Sequence, residues 1–133
     1  MTQPHADYDT IVVGGGPSGA TAAHELANKG HRVLLLERGF RIKPCGGAIP
    51  PCLLQEFNIP DHLVVARIRS ARMISPKGQS VDMPIDGTFV GMVDRDEFDP
   101  WLRQRAREAG ATVVPGVFKS LEYQEELVSL TYQ

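Results

Sequence analysis

The first part of the chain changes its hydrophobic period twice, which predicts a strand, a helix and a second strand. The run Tyr8–Val13 is rich in residues that favour strands and stops at three consecutive glycines. From Pro17 onward, apolar residues recur at helical spacing until Gly30, and a proline suits the first helical position because its missing N–H is not needed there. Arg32–Glu37 is almost continuously apolar, as in a parallel strand covered on both faces. The pattern therefore predicts a βαβ unit.

Prolines and glycines interrupt the next segment, residues 39–60, which predicts a loop with one or two helical turns in Pro51–Phe57. Beyond this loop, apolar runs separated by polar turn residues predict further strands. These strands are Arg67–Ser75, Gln79–Pro84 and Thr88–Val93, and the first two would form a hairpin around Lys77 and Gly78.

A second amphipathic helix is predicted from Asp94, since Asp94 and Glu97 have the spacing of a capping box. Its buried stripe would be Phe98, Leu102 and Ala106 or Ala109, and Gly110 would end it. Three strands are predicted to follow: Ala111–Val114, parallel to the first two, and a terminal hairpin of Phe118–Tyr123 and Leu127–Tyr132.

These elements predict one α/β domain with a Rossmann-like core, in which strands and helices alternate before and after a β-rich insertion. The 133 residues divide into a βαβ unit (7–37), a loop (38–60), the β-rich insertion (61–93) and a helix with strands (94–133).

Composition and charge exclude several classes of function. The chain has 14 basic and 16 acidic residues, so that no strong positive field would attract nucleic acid. We found no apolar stretch long enough to cross a bilayer and no signal peptide, and two cysteines are too few for a disulfide framework. We therefore expect a cytoplasmic protein with no nucleic-acid partner.

The glycines between the first strand and helix carry the clearest chemistry. Gly14, Gly16 and Gly19 form the pattern GxGxxG in its expected context, a strand before it and a helix after it. Gly14 would allow the tight turn, Gly16 would let a pyrophosphate approach the backbone, and Gly19 would let the helix pack against the strand. The N–H groups at the helix N-terminus would then hold the phosphates.

Glu37 supplies the acidic partner that this motif requires. It ends the second strand, 21 residues after Gly16, where a carboxylate accepts hydrogen bonds from a ribose and repels a 2′-phosphate. The turn should therefore bind FAD or NAD rather than NADP. The long loop and β-rich insertion that follow favour FAD, because a nicotinamide dehydrogenase usually continues with a second helix and a parallel strand.

Longer stretches resemble the geranylgeranyl reductases, a family of flavoproteins with the p-hydroxybenzoate-hydroxylase-like fold. The resemblance runs from Asp7 to Ser120 and is carried by YDTIVVGGGPSGATAA, LLLERG, KPCGGAIP and GMVDRDEFDPWLRQRAREAGA. KPCGGAIP is the discriminating stretch, since the other motifs are shared by many flavoproteins. Among the family, the members of bacteriochlorophyll biosynthesis are the most similar.

The resemblance implies a set of cofactor-binding residues. The pyrophosphate would lie against Gly14, Gly16, Ser18 and Gly19. Glu37 would bind the adenosine ribose, Arg38 would lie along the adenine, and Lys119 would meet the adenine through its backbone. On the flavin side the family implies Cys45, Gly46 and Gly47, with Arg95 as a further FAD contact. No catalytic residue and no metal ligand are assigned.

Several of these residues have a plainer interpretation. Cys45 is either a thiol with a lowered pKa or a packing residue, and Arg95 is either an anion contact or a solvated residue of the first helical turn. Cys52 is expected to be small and buried. Arg103, Arg105 and Arg107 are expected to form the solvated face of their helix, and Trp101 to be a packing residue.

The family implies an FAD-dependent, NADPH-driven reduction of geranylgeranyl double bonds to phytyl in chlorophyll or bacteriochlorophyll biosynthesis. The substrate would be an isoprenoid or a prenylated tetrapyrrole, with peripheral association at the photosynthetic membrane. Family members are much longer and include a substrate domain absent here, so we expect this chain to correspond to their N-terminal part and to be inactive alone. Alternatives are a non-catalytic nucleotide-binding module that needs a partner chain, or a flavin monooxygenase of the same fold.

Overall fold

The computed structural model describes residues 6–39 and 44–133, and they fall into two units. The first unit contains residues 6–39 and 99–133, and the second contains residues 44–98. Part of the predicted cofactor loop, residues 40–43, lies outside the described residues.

In chain order the helices and strands are β1 (Thr10–Val13), α1 (Pro17–Asn28), β2 (Val33–Glu37), β3 (Ala48–Ile49), α2 (Pro51–Glu56), β4 (Val64–Ile68), β5 (Ser70–Ile74), β6 (Ser80–Pro84), β7 (Val90–Val93), α3 (Arg95–Glu108), β8 (Thr112–Pro115), β9 (Phe118–Gln124) and β10 (Leu127–Tyr132). A 3-10 turn at Asp61–Leu63 precedes β4.

A parallel sheet of order β1-β2-β8 forms the core of the first unit. Its central strand is β2, all five residues of which are buried, as its continuous apolar sequence predicts. The stripe Ala20, Ala23 and Ala27 is the buried face of α1. The predicted βαβ unit and third parallel strand are therefore confirmed.

Close packing of α1 on the turn that follows β1 depends on Gly19. A Cβ atom at this position would overlap the carbonyl oxygen of Gly14 and would lie 3.3 Å from Cγ1 of Val12. Only a residue without a side chain allows the helix to approach the strand at this distance.

Helix α3 buries Phe98, Leu102 and Ala106, as predicted, whereas Ala109 is half-buried. The expected solvated arginine face is wrong for Arg103, which is 6% exposed. The terminal hairpin of β9 and β10 has the predicted antiparallel pairing.

The second unit contains a three-stranded antiparallel sheet of order β3-β7-β4 and a separate β5-β6 hairpin. The hairpin is the one predicted around Lys77 and Gly78. The prediction of one strand over Arg67–Ser75 is wrong, because Arg67 and Ile68 pair with β7 and the chain leaves that sheet at Arg69 before β5 begins. The two-residue strand β3 was not predicted, since so short a run carries no periodicity.

An ion pair joins the starts of β1 and β2. Arg32 donates from Nη2 to Oδ1 of Asp9 at 2.6 Å, and its backbone N–H donates to Oδ2 at 2.7 Å. The backbone N–H of Asp9 donates to the carbonyl of Arg32 at 2.9 Å. Hydrogen bonds from the Arg32 side chain and backbone lower the pKa of Asp9 to about 2.

The Asp9–Arg32 pair predicts a specific acid sensitivity. Because the pKa of Asp9 is about 2 in the fold and 3.8 as its ordinary value, its stabilisation is complete above pH 3.8 and is lost as pH falls through 2. An NMR titration should therefore find the Asp9 carboxyl near pKa 2, and Arg32→Ala should return it towards 3.8. Lys29→Ala, which removes an exposed charge three residues before Arg32, should leave the Asp9 titration unchanged. A wild-type Asp9 that titrates near 3.8 would contradict this geometry.

The packing at Gly19 predicts that Gly19→Ala destabilises the first unit by at least about 2 kcal/mol, because the added methyl group would overlap backbone that cannot move independently. Chemical denaturation would measure the loss. Gly39→Ala is the matched control, since a Cβ at Gly39 would meet no atom within 4 Å. The control should change stability by less than about 0.5 kcal/mol, and equal effects of the two substitutions would refute the close approach of α1.

Candidate functional site

The glycine turn between β1 and α1 is tied to both neighbouring elements. The N–H of Gly14 donates to the carbonyl of Leu36 at 2.7 Å, which extends the β1-β2 pairing into the turn. Gly14 has a φ of +106°, a conformation that favours glycine. The carbonyl of Gly16 accepts the first helical hydrogen bond, from the N–H of Ala20 at 2.9 Å.

The N-terminus of α1 is open to an anion. No side chain caps it, Pro17 occupies its first turn, and that turn contains no acidic residue. The first-turn N–H groups have no intrahelical acceptors, and they carry the positive end of the helix dipole. A glycine turn followed by such a helix end fits the pyrophosphate of a dinucleotide.

Glu37 is buried at the end of β2, and both of its carboxylate oxygens accept backbone hydrogen bonds. Oε2 accepts from the N–H of Gly15 at 2.6 Å, and Oε1 accepts from the N–H of Gly39 at 3.1 Å. The acid therefore holds the glycine turn against the end of β2. Each carboxylate oxygen can accept one further hydrogen bond, so these two contacts leave room for a ribose hydroxyl. The contact of Glu37 with a ribose stays a prediction.

Arg103 approaches the same turn from α3. Its Nη1 donates to the carbonyl of Gly15 at 2.9 Å. Burial lowers the pKa of its guanidinium, and the charges of Asp99 and Glu37 oppose that shift. Asp99 and Arg103 are both 6% exposed, so the three charged groups form a buried cluster that we call the Glu37–Arg103–Asp99 cluster.

Gly15 and Arg103 were missed as site residues. A Cβ at Gly15 would lie 3.0 Å from Cβ of Glu37 and 3.1 Å from Cδ of Arg103, so the middle glycine makes room for both stems. The sequence carried one signal for Arg103: an acid and a base four residues apart, Asp99 and Arg103, share one face of the helix. That face borders Leu102, which belongs to the predicted buried stripe. Their charges made that face look solvated.

The other predicted residues of the first unit are exposed. They are Ser18 in the first turn of α1, Arg38 directly after Glu37, and Lys119 in β9. The hydrogen bonds that join Glu37 and Arg103 to the turn run through Gly15. The roles of Ser18, Arg38 and Lys119 toward FAD stay predictions.

The predicted flavin-side residues belong to the second unit. Cys45 is exposed, and a Cβ at Gly46 would meet no atom within 4 Å. Gly47 has a structural reason to be glycine: its φ is +69°, and a Cβ there would overlap the carbonyl oxygen of Val93. Arg95 is half-buried at the start of α3. Their contacts with a flavin stay predictions.

Two smaller expectations have different outcomes. Cys52 is exposed in α2, so the expectation that it is buried is wrong, because this six-residue helix buries no side chain completely. Trp101 is half-buried, and the guanidinium of Arg105 lies 5.4 Å from the centre of its ring. Arg105 is therefore partly covered rather than fully solvated.

Within residues 6–39 and 44–133, no three His, Cys, Asp or Glu side chains are placed to hold a metal ion. His24 instead joins α1 to α3, since its Nε2 accepts from Nε of Arg105 at 3.0 Å. In the same part of the chain, no helix has the length and apolar character needed to cross a membrane.

Comparison with known families places a nucleotide-binding domain on the glycine turn. Residues 12–50 match the family model of the NAD(P)-binding Rossmann-like domain. The match begins in β1 and includes the glycine turn, α1 and β2, the elements that build the site described above.

Several curated relatives are geranylgeranyl diphosphate reductases or digeranylgeranylglycerophospholipid reductases. The chain is 60% identical over 115 residues to a geranylgeranyl diphosphate reductase of Rhodobacter capsulatus, covering 86% of this chain and 29% of that protein. It is 42% identical over 118 residues to the chloroplastic enzyme of Arabidopsis thaliana, covering 86% and 25%. A digeranylgeranylglycerophospholipid reductase of Methanoculleus marisnigri is 42% identical over 115 residues, covering 81% and 29%. The chain thus spans less than a third of each relative.

Solved structures agree with this assignment. A geranylgeranyl bacteriochlorophyll reductase-like protein from Thermoplasma acidophilum has a TM-score of 0.83 at 27% identity, covering 94% of this chain and 34% of that one. A flavin-dependent brominase shares the fold with a TM-score of 0.78 at 21% identity, covering 95% and 34%. The resemblance predicted from KPCGGAIP and its companion motifs is confirmed, and by sequence and fold the chain belongs with the N-terminal part of the geranylgeranyl reductases.

Proposed function

We propose that this chain forms the FAD-binding part of an NADPH-driven reductase that converts geranylgeranyl chains to phytyl chains. The 60% identity to the Rhodobacter capsulatus geranylgeranyl diphosphate reductase supports the reaction class. The chain spans 29% of that relative, so we expect turnover to need polypeptide beyond these residues, and this chain alone to bind FAD weakly or not at all.

The observation that carries the proposal is the open N-terminus of α1 beside the buried carboxylate of Glu37. The helix end supplies N–H donors and positive potential for two phosphates. Glu37 lies at the end of the neighbouring strand, where an adenosine ribose joined to those phosphates would be bound. Together they favour a dinucleotide over a single phosphate group.

FAD, when bound, supplies hydride transfer, and the protein contributes position, electrostatics and exclusion of water. In this proposal Gly14, Gly16, Ser18 and Gly19 line the pyrophosphate. Arg38 and the Lys119 backbone lie at the adenine. The flavin side is formed by Cys45, Gly46, Gly47 and Arg95.

NADPH acts as the reductant in this proposal and binds away from the glycine turn. The negative charge of Glu37 would repel the 2′-phosphate that distinguishes NADPH from NADH. We propose an isoprenoid or prenylated tetrapyrrole as the substrate. Such a substrate is apolar enough to bring the complete enzyme to the surface of a photosynthetic membrane from the cytoplasmic side.

Nucleotide discrimination tests the role of Glu37. The wild-type chain should bind ADP more tightly than 2′-phosphoadenosine 5′-diphosphate, and Glu37→Gln should weaken ADP binding about tenfold, because a charge-assisted bond to the ribose is lost. Glu37→Gln should also bring the affinities for ADP and 2′-phosphoadenosine 5′-diphosphate closer together. A general loss of stability would instead weaken both affinities equally. Isothermal titration measures both affinities. Glu122→Gln, an exposed acid in β9, is the control and should match wild type. Unchanged discrimination in Glu37→Gln would disprove the ribose contact.

The reaction class is tested with the complete reductase that contains this sequence. Under strictly anaerobic conditions, with FAD, NADPH and geranylgeranyl diphosphate, we expect saturation of side-chain double bonds, detected by mass spectrometry as additions of two hydrogens. NADH should support a lower rate than NADPH. A requirement for oxygen, with an oxygenated product, would instead identify a flavin monooxygenase and contradict the proposal.

A further inference from the structure

Two carbonyl groups of the glycine turn accept internal hydrogen bonds, and a third faces α1. The Gly16 carbonyl accepts the helical bond from Ala20, and the Gly14 carbonyl faces the position where a Cβ of Gly19 would lie. The Gly15 carbonyl accepts from Nη1 of Arg103. A carbonyl oxygen turned toward a diphosphate would repel it, so the direction of each of these groups affects anion binding.

The peptide between Gly15 and Gly16 is held by a side chain, since Arg103 donates to the Gly15 carbonyl. Two consecutive glycines have wide conformational freedom, so rotation of this peptide between them costs little. In a trans peptide the C=O of Gly15 and the N–H of Gly16 point in opposite directions. A single rotation would therefore replace an outward N–H donor with an outward oxygen.

Glu37 and Arg103 hold the two sides of Gly15. Glu37 accepts from its N–H at 2.6 Å, and Arg103 donates to its carbonyl at 2.9 Å. Both side chains are buried, and their stems lie within 3.1 Å of the position a Gly15 Cβ would occupy. With the Gly15 carbonyl held toward α3, the Gly16 N–H points away from the Arg103 guanidinium.

We infer that Arg103 is a positioning residue for dinucleotide binding, which acts by keeping the Gly15 carbonyl away from the phosphates and the Gly16 N–H available to them. The inference rests on the proposed function in that the ligand is a dinucleotide. Helix α3 would thus contribute to phosphate binding through Arg103, although Arg103 itself would not contact the ligand. Preorganisation of this kind improves affinity because the turn need not reorder on binding.

The ratio of ADP affinity to adenosine affinity isolates the contribution of the phosphates. In Arg103→Gln we expect ADP to bind about tenfold more weakly with adenosine unchanged, because only the phosphates meet the turn. Arg103→Lys, which retains one cationic donor, should lose about threefold. Arg107→Gln is the matched control, an exposed arginine four residues along α3, and should match wild type. Isothermal titration with ADP and adenosine gives the ratio.

An unchanged ratio in Arg103→Gln, or an equal loss for ADP and adenosine, would overturn the inference. If Arg103→Gln does not fold, Arg103→Lys decides, and a wild-type ratio there would overturn it. A second readout needs no ligand: the ¹³C chemical shift of the Gly15 carbonyl, which reports the hydrogen bond that it accepts from Arg103, should move upfield in Arg103→Gln relative to wild type, with the β2 carbonyls unchanged. If neither ADP nor adenosine binds to the wild-type chain, the proposed function fails, whereas an unchanged Gly15 carbonyl shift in Arg103→Gln would reject the role of Arg103 alone.

Discussion

The hydrogen bond between the Glu37 carboxylate and the Gly15 amide is the contact on which the arrangement of the first unit depends. It joins the end of β2 to the turn after β1, and Arg103 adds the helix α3 to the same residue from the other side. Burying three charged groups is costly unless they are paired and hydrogen-bonded, so this cluster requires all of its members. Because these groups come from distant parts of the chain, the cluster also fixes where the glycine turn lies.

This arrangement connects the fold to the proposed chemistry. An anion-binding turn needs N–H groups directed outward and carbonyl groups directed inward, and glycine-rich backbone by itself prefers neither. The hydrogen bonds that the carbonyl groups of Gly15 and Gly16 accept supply that preference. A single acid, Glu37, holds the geometry of the turn, and in the proposed function it also selects an unphosphorylated ribose. Substitutions at this position are expected to change affinity and specificity together.

Much of the fold follows from local patterns. The continuous apolar run of β2, the helical spacing of alanines in α1 and the glycine stops at Gly30 and Gly110 identify elements without tertiary information. The errors have a common cause. Arg103 and Asp99 carry charges that normally remain in water, and the division of the Arg67–Ser75 run depends on which strand each half pairs with. Neither outcome is a property of the residue or its neighbours in sequence.

The sequence by itself determined the βαβ unit, the glycine motif with its acidic partner and, through KPCGGAIP, the family. These features depend on residue type and short-range spacing, which a chain carries before it folds. Only the tertiary structure decided that Gly15 is the residue held by Glu37 and that Arg103, 88 positions along the chain, completes the contact. A hydrogen bond between such distant residues exists only once the parallel sheet and α3 have packed, so no local pattern can specify it.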